Sequence, residues 1–252
     1  MLDGYSKCDL HVHTPLSNCY EPAARHVKAT EIVDAALEAG LDLIAITDHN
    51  GVGAVDGVRQ AAEQTGLVVL PGVEITTPGG HILALFDRGT PSAEIRLLLN
   101  EVGLSPSNEG EAFVETRLGT VEALAAIRRH GGLAIAAHIE RSPRGFLEST
   151  YDFRRKRAIH ASEHLSALEI TNPLRKAAWN AGKVHGYPKP YACVQGSDAH
   201  ALEDIGRRPV LIRLASIDLA GLDRALAEYP DAIRFPDEMV SPHVHTCRVD
   251  DD

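Results

Sequence analysis

The run Leu43-Ile44-Ala45-Ile46 is apolar at every position and gives way at once to Thr47-Asp48-His49. A strand with one wet face alternates polar and apolar residues. An unbroken run is instead buried on both faces, as in a parallel sheet flanked by helices. Strand-like runs recur at 8–13, 43–47, 68–75, 81–86, 133–138, 167–171, 192–196 and 209–214. Helical patterns lie between them, near 30–39, 54–65, 92–100, 120–130 and 216–228. This βαβα order predicts an α/β fold with a mainly parallel sheet. Thr30, Ser92 and Thr120 are expected as helix N-caps, with Glu31, Glu94 and Glu122 in the first turns. Gly40, Gly66 and Gly131 are expected as left-handed stops.

The polar residues decide between a barrel and an open sheet. His13, His49, Glu74, His138 and Asp198 fall at or just after the ends of successive apolar runs, and His81 opens another. Barrel enzymes gather their chemistry on the rim formed by strand C-termini. A doubly wound sheet would more often carry a Gly-rich phosphate turn after its first strand, and this chain has none. A barrel of 252 residues forms one core. Within Asp9-Leu10-His11-Val12-His13 the two histidines share a strand face. Paired imidazoles joined by carboxylates from other strands suit a divalent metal and point to a hydrolytic metalloenzyme. Asp9 lies one step deeper on that face, where it would accept an imidazole N–H. Asp48 is expected to orient a ligand or cap a turn, and Glu169 to support the site or stand as a structural carboxylate.

The ordered set DLHVHT, AITDHN, PGVEIT, the His81 strand, AAHIER and GSDAH resembles the PHP (polymerase and histidinol phosphatase) superfamily over roughly residues 7–215. The resemblance implies a distorted (βα)7 barrel with a di- or trinuclear metal centre that hydrolyses phosphate esters. It further implies that His11, His13, Glu74 and Asp198 hold a first metal. Glu74 would bridge to a second, held also by His81 and His138. His49 and His200 would hold a third, completed from the loop after the first strand, where this chain departs from the common His or Asp. Cys19 is the best candidate there, since a thiolate is a strong zinc ligand. Zinc, manganese and iron all suit such mixed donors. Among Arg141, Arg144 and Arg207, Arg141 is the first choice to grip a phosphoryl group. The leaving alkoxide would take its proton from His200 or from water. The other internal histidines (His26, His130, His160, His164 and His185) read as ordinary surface or packing residues.

The net charge of -10 disfavours an extended phosphate-backbone interface. The expected substrate is therefore a phosphorylated small molecule or nucleotide, with a nuclease acting on DNA or RNA as the alternative. GSDAHALEDIGRR resembles PHP domains found beside ATPase modules, which implies a separate ATPase partner, since the chain has no Walker A pattern. A C–N hydrolase and a non-catalytic metal-holding module are weaker readings. The basic run Arg154-Arg155-Lys156-Arg157 reads as a solvated helix face beside the His138 strand, and 103–119 as a polar excursion. Cys8, Cys19, Cys193 and Cys247 form no CxxC pair, and neither a signal segment nor a membrane-length apolar run is evident. A cytoplasmic protein with no membrane partner is expected. Residues 1–235 read as one domain and 236–252 as a flexible tail, with the His243/His245 spacing accidental.

Overall fold

The apolar runs become a single twisted sheet of nine strands in the computed structural model, which describes residues 4–239. Strand β1 (Ser6–Val12) pairs in parallel with β2 (Leu43–Ile46), and β2 with β3 (Val68–Thr77). All four residues of β2 are buried, as a strand covered on both faces requires. The chain then turns back: β4 (Gly80–Leu85) runs antiparallel to β3 and to β5 (Leu133–Ala136). Parallel pairing resumes through β6 (Ala167–Glu169) and β7 (Ala192–Val194). On the far side, β8 (Val210–Ile212) runs antiparallel to β1 and to β9 (Ile233–Arg234). Strands β7 and β9 approach each other, so the sheet nearly closes into a barrel.

Seven α-helices are described: α1 (Ala29–Glu38), α2 (Val55–Ala62), α3 (Ser92–Glu101), α4 (Thr120–Arg129), α5 (Phe153–Ala161), α6 (Lys176–Asn180) and α7 (Leu219–Ala227). The architecture is thus the expected distorted α/β barrel, but its repeat is not a regular sevenfold one. The reversal at β4 breaks the alternation and serves the rim. Because β4 runs the opposite way, His81 at its start reaches the same rim as residues ending the parallel strands.

The helix starts differ from the expected caps. Lys28, Pro91 and Gly119 occupy the N-cap positions, which places Thr30, Ser92 and Thr120 inside the helices. Their side chains have other partners. Ser92 Oγ donates to Asp56 Oδ2 at 2.6 Å, and Thr120 Oγ1 accepts from Gly79 N–H at 2.9 Å. Gly40 and Gly131 do adopt left-handed φ of 67° and 78°, whereas α2 ends at Ala62 and Gly66 stays outside that region. Among the described residues, no helix is long and apolar enough to cross a membrane. Of the expected tail, Pro236–Glu238 form a short turn in which Glu238 Oε2 accepts from Lys176 Nζ at 2.5 Å. His243 and His245 lie outside the described residues.

Candidate metal centre

Strand ends deliver the donors. Val12 ends β1 between His11 and His13, and both imidazoles are fully buried. Four donor atoms, His11 Nε2, His13 Nε2, Glu74 Oε2 and Asp198 Oδ1, then come together. His11 Nε2 lies 3.1 Å from His13 Nε2 and 3.2 Å from each carboxylate oxygen. His13 Nε2 lies 3.2 Å from Glu74 Oε2 and 3.1 Å from Asp198 Oδ1. A tetrahedron of donors about 2.0 Å from its centre has edges of about 3.3 Å. These four residues therefore fit one cation.

Glu74 divides its two oxygens. Oε2 faces His11, His13 and, at 3.0 Å, His49 Nδ1. Oε1 faces His81 Nδ1 at 2.6 Å and His138 Nε2 at 2.9 Å. Glu74 Oε2 and His49 Nδ1 are buried and make no hydrogen bond despite their proximity. Buried polar atoms are normally satisfied, so each of these two orphans marks a place where a cation would be met. On the open side, Cys19 Sγ sits 2.9 Å from His200 Nε2, and the His13 and His200 rings stack at 4.2 Å. His13, His49 and His200 form a third convergent group. The structure thus brings together all nine residues expected as ligands, and the donor set fits two or three divalent metals.

The imidazoles are held from behind. Ser17 Oγ donates to Asp48 Oδ1 at 2.7 Å and so accepts from His13 Nδ1–H at 2.9 Å. His11 Nδ1–H donates to Glu169 Oε2 at 3.0 Å, and His200 Nδ1–H to the Asp198 carbonyl at 2.8 Å. Each bond fixes a tautomer whose other nitrogen presents a lone pair to the site. Asp48 also accepts from Thr14 N and Oγ1, which locks the loop after β1. Asp9 departs from expectation: it touches no imidazole side chain but accepts backbone N–H groups of Ser197 and Gly206. It ties the Asp198 loop to β1 instead.

Charge follows from this packing. Burial alone would raise the Glu74 carboxyl, yet His81, His49 and His11 hold it well below the usual range. Burial opposes a proton on His11, but the Glu169 and Glu74 carboxylates outweigh it and raise the group to about 10. Burial likewise opposes ionisation of Glu169, which His11 and His138 nonetheless bring down to about 2. The carboxylates therefore demand positive charge, which protons or cations can meet. Burial outweighs the nearby Glu74 carboxylate at His81 and lowers it to about 4, and burial with neighbouring imidazoles takes His200 to about 3. His138 and Asp198 hold φ of 27° and 51°, a strained region for non-glycine residues that recurs at functional sites.

The arginines separate. Arg141 reaches the centre and pairs with Asp198, with 46% of its side chain exposed. Arg144 pairs instead with Glu115 at 3.1 Å, and Arg207 with Asp204 on the surface. Residues 103–119 form more than a polar excursion. Gly110 N–H donates to the His49 carbonyl at 2.7 Å, and Asn50 Nδ2 donates to the carbonyls of Glu111 and Val114, so the segment walls the site. Ser17 and this wall were missed in the sequence. A hydroxyl four residues after His13 was the available signal for the first, and no local pattern marks the second.

A family model described as the PHP domain matches residues 9–141. An uncharacterized protein of Methanocaldococcus jannaschii is 30% identical over 142 residues, covering 52% of this chain and 67% of that protein. A 5'-3' exoribonuclease of Haemophilus influenzae is 33% identical over 90 residues, 34% of this chain and 31% of the exoribonuclease. The crystal structure of a lesion-specific endonuclease from Pyrococcus furiosus aligns with a TM-score of 0.65 at 16% identity. That alignment covers 92% of this chain and 57% of the endonuclease, and it is a likeness of fold.

Proposed function

We infer from the chain's membership of the PHP domain family that it is a metal-dependent phosphoesterase. From that premise we propose that it hydrolyses a small phosphomonoester or nucleotide with two or three divalent cations of zinc, manganese or iron. The division of Glu74's oxygens between two sets of imidazoles carries this reading. His11, His13, Glu74 and Asp198 would hold one cation, and Glu74, His81 and His138 a second. His49, His200 and Cys19 would hold the third. Bound cations supply an activated water and neutralise the phosphoryl oxygens.

The chain's own groups do the rest. Arg141 exchanges its Asp198 partner for the phosphoryl group, which a guanidinium binds through two parallel hydrogen bonds. Glu169 and the Ser17–Asp48 pair keep the His11 and His13 lone pairs aimed inward. His200 presents a lone pair and serves as a ligand, so water supplies the leaving group's proton. The catalytic unit in this reading is residues 1–235, working in the cytoplasm.

A panel of phosphomonoesters assayed with each metal tests the proposal. Turnover abolished by chelation and restored by one of the three metals is expected, and no turnover with any of them would overturn it. The exposed Arg141 and the basic helix α5 favour a second reading, a nuclease acting on DNA or RNA. A separate ATPase partner would accompany that role. Labelled single- and double-stranded polymers left intact beside rapid monoester hydrolysis would exclude it.

A further inference from the structure

Phe113 stands at the rim with 71% of its surface exposed, on a segment that is otherwise pinned down. Asn50 Nδ2 donates to the carbonyls on either side of it, those of Glu111 and Val114, each at 2.8 Å. Thr76 Oγ1 donates to the Ala112 carbonyl at 3.1 Å and lies 3.4 Å from His81 Nε2. Thr116 N–H donates to the Thr76 carbonyl at 2.9 Å. The backbone that carries the exposed ring is therefore fixed beside the His81 side of the metal centre.

Arg144 backs the ring. Its guanidinium carbon lies over one face of Phe113, 4.9 Å from the ring centroid, and Glu115 Oε1 holds the guanidinium at 3.1 Å. The Arg144 Nε is buried with no hydrogen-bond partner. The Arg144 carbonyl accepts the His81 N–H at 2.8 Å, so this residue too is one bond from a candidate ligand. An aliphatic leaving group would gain little from a flat, exposed ring. A planar heteroaromatic ring gains a π face to stack on, the one opposite the face that the Arg144 guanidinium covers.

We propose that Phe113 and Arg144 form a nucleobase-stacking platform, so that the phosphate delivered to the metal centre belongs to a nucleoside. This rests on the phosphoesterase reading and narrows its substrate class to nucleotides, free or at the end of a strand. The platform holds the leaving group and takes no part in the chemical step.

Two measurements test it. The first is the ratio of kcat/KM for a nucleoside monophosphate to that for ribose phosphate. Phe113→Ala should lower that ratio about tenfold, equivalent to about 1.4 kcal/mol, while Phe113→Trp retains it. A ratio unmoved by Phe113→Ala overturns the platform while leaving the phosphoesterase reading intact. The second needs no turnover. A fluorescent aminopurine nucleoside monophosphate should be quenched on binding to the full-length protein and bind about tenfold more weakly to Phe113→Ala. The same fluorophore at the end of single-stranded DNA or RNA separates the sources. Tenfold tighter binding than the mononucleotide assigns the platform to a strand end, and equal or weaker binding to free nucleotides. Equal quenching by wild type and Phe113→Ala in every arm overturns the platform even if no substrate turns over.

Discussion

Buried histidines occur in two parts of this molecule, and the surroundings of His11 and His160 send these two in opposite directions. At the rim, His11 faces Glu169 and Glu74 and is raised to about 10 against the effect of burial. Between α5 and α6, His160 lies among rings instead: Tyr187 and Tyr191 at 5.1 Å and Trp179 at 5.8 Å. Burial, with help from Lys189, lowers it to about 4. Both regions hold polar atoms without partners, His49 Nδ1 and Glu74 Oε2 at the rim, His160 Nε2 and Trp179 Nε1 in the aromatic cluster. Only at the rim do several donors converge within about 3 Å of one another. An orphaned nitrogen therefore marks a candidate site when carboxylates share its space. Among aromatic rings it belongs to the packing.

The hardest test of this contrast is Glu74→Gln. It keeps the volume and removes the charge on which both sets of imidazoles rely, so turnover should fall by on the order of a hundredfold or more. Metal analysis should show at least one ion lost, with circular dichroism unchanged. A variant that unfolds while its folded fraction stays fully active would make Glu74 structural. Glu169→Ala acts one bond farther out, freeing the His11 tautomer and the His138 N–H. It should reduce activity about ten- to a hundredfold, with Glu169→Gln recovering part. Equal loss in both variants would point to charge rather than orientation. The smallest effect belongs to His160→Phe, which should leave activity within about twofold and change only the pH response of stability. Because the folded pKa lies below the ordinary value of 6.5, the unfolded chain takes up the proton first as pH falls from 6.5 to about 4. His160's contribution is thus whole above that window and lost through it. Denaturant midpoints across pH should show wild type losing stability relative to the variant there. Parallel curves would refute the assignment.

The rim was legible because each donor interrupts an apolar run: His49 follows β2, Glu74 lies within β3, and His138 follows β5. Such interruptions are local, and a strand's length places them at one end. Asp198 was legible through its motif, and Glu169 as a carboxylate ending β6, though its hold on His11 spans 158 residues. The reversal at β4 left only the Pro78-Gly79-Gly80 turn as a trace. The role of Ser17 depends on Asp48, 31 residues away, and the wall at 108–116 depends on hydrogen bonds to Asn50 and Thr76. No periodicity encodes contacts of that range. Helix starts shifted for a similar reason, since Thr120's hydroxyl serves Gly79 rather than its own helix.

Gly110 joins that wall to the loop bearing Cys19. Its φ is 85°, and a Cβ there would lie 2.3 Å from the Leu16 carbonyl oxygen, while Asn18 N–H donates to the Gly110 carbonyl at 2.9 Å. Any larger residue would force the two loops apart. The surface on which a substrate would rest is therefore set during folding, before any ligand arrives. A ligand that meets an already ordered surface forfeits less of its binding free energy to ordering it. Discrimination at this rim is then governed by shape in the free protein, and a substrate analogue should bind without a slow rearrangement.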